Sequence, residues 1–171
     1  MRPPPGQAVD VDTDLQLTLI GRAALAAVLG FAIGFEREWR GKSAGERTFA
    51  LFAFGTAAVT AGGVLILDTQ GVSRVIQGIL TGVGFLGGGL IFRRSPENIY
   101  GLTTAAGSWA ATGIGVLTGL GAYLAAVAGV VVILLLFQLD RIPFLRRIRE
   151  DAQREAAASQ KGSTEGADDE G

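Results

Sequence analysis

No cysteine and no histidine occur in the 171 residues of this chain. The missing thiols exclude disulfides, thiolate metal sites and thiol nucleophiles. The missing imidazoles remove the commonest general base and the commonest transition-metal ligand. Ser–His hydrolysis, HExxH metalloprotease chemistry and most zinc sites are therefore excluded before any motif is sought. Redox compartment is not readable from a chain without thiols. Charge is also sparse: 18% of residues are charged against 49% hydrophobic, and the formal net charge is −1. Such a balance gives no field that would gather nucleic acid.

What is present is charge segregation. Five apolar stretches, Leu15–Phe35, Thr48–Leu67, Val75–Phe92, Leu102–Thr118 and Ala122–Leu139, contain a single charge, Arg22. A soluble domain does not segregate charge this way, because its helices need polar outer faces. A bilayer's hydrocarbon core takes about 20 apolar residues per helical crossing, with a range of about 17–25, and all five stretches fit. The uncharged run Asn98–Leu139 would span about 63 Å as one straight helix, about twice the hydrocarbon thickness. It must fold back, and Thr118-Gly119-Leu120-Gly121 is the expected reversal. The fold class expected is all-α: a polytopic membrane bundle of about five helices with glycine-rich packing.

Basic residues set the orientation. Arg37, Arg40, Lys42 and Arg47, then Arg93 and Arg94, then six more after Leu139 fall on one side, against Arg2 and Arg74 on the other. The positive-inside rule places the N-terminus outside and the C-terminus in the cytoplasm. Residues 1–14 read as an extracytoplasmic segment and not as a cleavable signal, since a basic start leading into a short apolar core is missing. Residues 15–139 form the membrane domain. Residues 140–171 read as a basic-then-acidic cytoplasmic tail, disordered at its end, with Arg141–Arg154 expected as an amphipathic helix on anionic lipid.

Small-xxx-small pairs recur at Gly30/Gly34, Gly78/Gly82, Gly84/Gly88 and Gly115/Gly119. Such pairs let helix backbones approach closely in lipid, either within one bundle or against a second copy in a homo-oligomer. Gly82-Val83-Gly84-Phe85-Leu86-Gly87 matches G-x-G-x-x-G. It lacks the strand before it and the acid about 20 positions later that a dinucleotide site needs. Arg22 is the one ionisable residue inside a crossing; it reads as a snorkelling or structurally paired group, or as part of a polar pathway. The loop after the first stretch holds the densest polar chemistry. Glu36, Arg37, Glu38, Arg40, Arg47 and Thr48, with Arg93, Thr103 and Thr104, form the candidate functional cluster. Within it Glu36 and Arg40 have i, i+4 ion-pair spacing. The plainer alternative is a charged cap that fixes topology.

Three stretches resemble the MgtC/SapB family of bacterial inner-membrane proteins. They are Gly34-Phe35-Glu36-Arg37-Glu38 with Gly41–Thr48, then Gly82–Gly89 with Ile91 and Arg93, then Gly101–Ala106 with Trp109, Gly113, Gly115 and Gly119-Leu120-Gly121. One departure is Glu46, where the family usually has an apolar residue. The resemblance implies a non-enzymatic part in magnesium homeostasis or adaptation to low magnesium, through the lipid bilayer and other membrane proteins. Its alternative is a magnesium or other cation transporter. No cofactor is expected, and no metal ligands are assigned. Mg²⁺ enters only through the resemblance, because the five stretches hold no Asp or Glu where a cation path would show acidic groups at depth. An intramembrane enzyme lacks any catalytic set.

Overall fold

The computed structural model describes residues 12–95 and 98–139. Residues 1–11 of the segment expected at 1–14, and the tail expected at 140–171 with its amphipathic helix at Arg141–Arg154, lie outside the described residues. The chain divides into two units, residues 1–134 and residues 135–171. Five helices follow in order: α1 (Thr13–Trp39), α2 (Glu46–Ile66), α3 (Thr69–Gly89), α4 (Leu102–Gly119) and α5 (Tyr123–Gln138). Between α3 and α4 the chain forms a short antiparallel hairpin, β1 (Phe92–Ser95) and β2 (Asn98–Tyr100), with a bulge between Arg93 and Ser95. The five helices bear out the all-α expectation, to which this short hairpin is the one addition among the described residues. Gly101 closes the hairpin onto α4 with φ +86°, and a Cβ there would overlap the Leu90 carbonyl oxygen, so only glycine fits.

The helix starts are set locally. Asp12 caps α1 by accepting from the Leu15 N–H at 2.8 Å, and Asp68 caps α3 by accepting from the Gly71 N–H at 2.7 Å, each satisfying an orphan first-turn donor. The α1 end is fixed by Gly41 in the left-handed region (φ +62°), with the Gly41 N–H on the Glu38 carbonyl. The reversal between α4 and α5 uses Gly121 at φ +84°.

Helices α1, α2 and α4 make the core, and small residues make the contact. Ala26, Ala53 and Ala57 are fully buried together. A Cβ on Gly30 would lie 2.5 Å from the Phe49 carbonyl oxygen, and one on Gly34 would lie 2.6 Å from the Glu46 Cα. On the other side of α2, a Cβ on Gly115 would lie 2.5 Å from the Ala53 carbonyl oxygen, and one on Gly119 would lie 2.7 Å from that of Ala57. Two glycine pairs thus bring α1 and α4 onto α2 at backbone contact, as close helix packing in lipid requires. The other two pairs do not do this. Gly78, Gly82, Gly84 and Gly88 meet nothing within 4 Å, because they face away from α2 and α4, against which α3 packs.

Helices α1 and α2 are long and apolar enough to cross a membrane, and α5 is a shorter apolar helix. Their outer faces carry large exposed apolar side chains, among them Leu17, Val28, Phe31 and Phe35 on α1 and Leu124 on α5. Phe31, Phe35 and Trp39 form a ladder with successive ring centroids 6.1 Å apart.

Candidate functional site

The charged cluster sits where the end of α1 meets the start of α2. Glu36 pairs with Arg40 one turn on, and its other oxygen lies 3.6 Å from Arg37 Nη1. Arg37 is 2% exposed, so its guanidinium is held inside the protein with Glu36 as counter-charge. A buried charge needs such a partner. The Arg37 carbonyl also accepts from the Arg40 and Lys42 N–H groups, which ties the loop back onto α1.

The N-cap of α2 is Gly45, which has no side chain to cap with. The Glu38 carboxylate lies in the space a Cβ on Gly45 would fill. A carboxylate there faces the positive end of the α2 dipole. Glu46 follows in the first turn, half-buried, and its Oε2 has no hydrogen-bond partner among the described residues.

The remaining sequence candidates disperse. The Arg47 side chain is 92% exposed and reaches only to Glu46, 3.9 Å away; it points out of the cluster. Thr48 is half-buried on α2. Arg93 belongs to β1, where its backbone pairs with Ile99. Thr103 is exposed and Thr104 buried, the divergence expected of neighbours 100° apart on a helix.

Arg22 is a structural clamp. Its Nη1 donates to the Gly119 carbonyl at 2.8 Å and its Nε to the Tyr123 hydroxyl at 3.2 Å. One side chain on α1 therefore holds both the C-terminal end of α4 and the first residue of α5. Sequence spacing gave no hint of Tyr123, because the contact spans a hundred positions.

A seam of buried hydroxyls lies between α2 and α4, and of these only Thr104 was among the sequence candidates. Thr56, Thr60, Thr104, Ser108, Thr112 and Thr118 are all buried. Ser108, Thr112 and Thr118 each donate to the carbonyl four residues back. Thr56 Oγ1 lies within reach of the Phe52 carbonyl at 2.8 Å and of the Thr112 carbonyl on α4 at 3.3 Å. The i, i+4 spacing of Thr56 and Thr60 and of Thr104, Ser108 and Thr112 is the signal the sequence offers for this seam. No carboxylate belongs to this buried polar set.

Mg²⁺ takes oxygen ligands, usually one or two carboxylates with retained waters. Glu36 is engaged by two arginines and Glu38 leans on the α2 N-terminus. Among the described residues no group of three acidic side chains is placed to hold a metal.

The described residues form a helical bundle with a core of α1, α2 and α4, and two of its helices are long and apolar enough to cross a membrane. The MgtC family model matches residues 24–143, and the chain belongs to the MgtC family. It is 45% identical to "Protein MgtC" of Salmonella typhimurium over 114 residues, covering 64% of this chain and 46% of that protein. It is 44% identical to the "Putative magnesium transporter YhiD" of Escherichia coli over 126 residues, covering 69% of this chain and 58% of that one. It is 36% identical to "Protein SrpB" of Synechococcus elongatus over 148 residues, covering 77% and 81%. The chain spans about half the length of the Salmonella and E. coli relatives. No solved structure matches it.

Proposed function

We propose that this chain is a multi-pass protein of the bacterial inner membrane, with its N-terminus outside, that serves magnesium homeostasis or adaptation to low magnesium without catalysing a reaction. It acts through contacts with other membrane proteins. One observation carries this reading. Between the helices of the described bundle the buried polar groups are hydroxyls, while the buried carboxylate oxygens, those of Glu36 and Glu46, lie with arginines at the α1–α2 junction. A cation path is expected to place acidic groups at depth; a regulator is expected to present a charged surface at one membrane face. Arg47, exposed beside that junction, is the side chain best placed to meet a partner.

The second reading is transport of magnesium or another cation, favoured by the printed name of the E. coli relative. Mg²⁺ flux into proteoliposomes, beside empty liposomes and a Glu36→Gln control, separates the two. Saturable flux that needs Glu36 establishes a transporter. Folded protein without flux leaves the regulator, and crosslinking in native membrane then finds what it touches.

A further inference from the structure

The reversal between α4 and α5 does not lie level with the ends of the helices beside it. Gly119, the last residue of α4, packs against Ala57 and Thr60 on α2, and α2 runs on for six residues beyond Thr60 to Ile66. The Gly119 carbonyl takes the Arg22 guanidinium, and α1 runs back nine residues from Arg22 to Thr13. At 1.5 Å per residue the turn sits about 9 Å short of the end of α2 and about 13 Å short of that of α1. Non-helical backbone at such depth in a membrane is tolerated only where protein buries it or water reaches it. Gly119 is buried, but Leu120 is 43% exposed and Tyr123 42%. The described residues do not cover the turn, and water is what remains to meet it.

Arg22 is a cation at the same depth, and its partners are neutral. Nη1 donates to the Gly119 carbonyl and Nε to the Tyr123 hydroxyl. Nη2 stands over Gly121, 3.3 Å from where a Cβ would be, and donates to nothing among the described residues. No carboxylate among them pairs with the guanidinium. The bond to Gly119 holds the head group against the bundle, so snorkelling to the surface does not meet the charge. A carbonyl and a hydroxyl satisfy hydrogen bonds but neutralise nothing. A cation at depth with no acidic partner in the chain calls for an anion from outside it. The donors suit one. A guanidinium presents its N–H groups as a planar fork matched to phosphate oxygens. The Tyr123 hydroxyl accepts from Nε, so its own proton is free to donate. Tyr123 opens α5, so first-turn N–H groups without intrahelical partners begin beside the guanidinium.

We propose that the α4–α5 turn floors a water-filled recess open to the outer side of the membrane, where Arg22 and Tyr123 bind a phosphate-class anion, a lipid headgroup or free phosphate. The proposal rests on reading α1 and α2 as membrane-crossing helices with the N-terminus outside.

A chain without cysteine allows a direct test. Leu120→Cys probes the recess and Thr13→Cys the outer end of α1. Ala24→Cys marks the opposite, exposed face of α1 near the depth of Arg22. A membrane-impermeant maleimide added to spheroplasts should label Leu120→Cys and Thr13→Cys and spare Ala24→Cys. Labelled Thr13→Cys with shielded Leu120→Cys overturns the recess alone. Free labelling of Ala24→Cys shows instead that α1 does not cross, and labelling of Thr13→Cys only after lysis reverses the orientation; either removes the membrane reading and the proposal with it. Protection of Leu120→Cys in nanodiscs then tests the anion. Slowing by inorganic phosphate in phosphatidylcholine discs, at constant ionic strength, identifies free phosphate. Slowing in phosphatidylglycerol discs alone identifies the headgroup. Arg22→Gln should raise the phosphate or phosphatidylglycerol needed for half-protection about 10- to 150-fold, the effect of a charged hydrogen bond. The milder Tyr123→Phe should raise it about 2- to 12-fold, and decides alone where Arg22→Gln does not fold. Labelling that neither source slows, or protection unchanged by the substitutions, overturns the anion site.

Discussion

Arg22 and Gly119 are 97 positions apart in sequence and joined by a 2.8 Å bond from the guanidinium to the carbonyl oxygen. The last carbonyls of a helix have no intrahelical partner, and a cation there also meets the negative end of the helix dipole. In lipid such a carbonyl has little water to turn to, so this bond anchors α4 to α1.

Replacing Arg22 by Met removes that bond and the one to Tyr123. A loss of about 1.5–3 kcal/mol is expected, the range for hydrogen bonds to charged groups. Tyr123→Phe removes the weaker bond and should cost about 1 kcal/mol. Thermal unfolding in detergent measures both. Equal stability of the Arg22→Met variant would show that the clamp contributes nothing.

The two classes of glycine should respond oppositely to added methyl groups. Gly34→Ala and Gly115→Ala place a Cβ against backbone, and overpacking of this kind costs about 1–3 kcal/mol. Gly78→Ala meets open space and should stabilise the helix by about 0.5–1 kcal/mol. The sign of the change in detergent unfolding separates the classes; a uniform sign would contradict the packing described.

The buried Thr60 hydroxyl has no hydrogen-bond partner among the described residues. Thr60→Val keeps the shape and removes the unmet polar group, so a gain of about 1 kcal/mol is expected. Thr56→Val breaks bonds within α2 and to α4 and should lose about 1 kcal/mol. A loss of stability in both would point to a partner for Thr60.

The charged junction separates folding from function. Arg37→Ala leaves the Glu36 carboxylate without one of its two counter-charges in a mostly buried site, and breaking a buried pair typically costs about 3–5 kcal/mol. Arg47→Ala changes an exposed side chain and should stay within about 0.5 kcal/mol of wild type. If the junction meets a partner, Arg47→Ala nevertheless abolishes growth support in low magnesium at matched protein level. Normal growth of that variant sinks the partner role of Arg47.

Local periodicity made much of this molecule legible before any tertiary contact was known. The five helices fall on the five apolar stretches. The α4–α5 reversal falls at Gly119–Gly121, where Gly121 takes a positive φ that glycine adopts without strain. The Glu36–Arg40 pair follows from a one-turn spacing. The tertiary structure decided everything that depends on which surface faces which. It packed Gly30, Gly34, Gly115 and Gly119 against α2 and turned the equally spaced glycines of α3 outward. It gave Arg22 its partners across the bundle, set Glu38 over the α2 N-terminus, turned Arg47 out, and inserted a hairpin before α4. Spacing fixes the face of a helix on which a residue lies; the neighbour that covers that face is set by contacts between segments far apart in the chain.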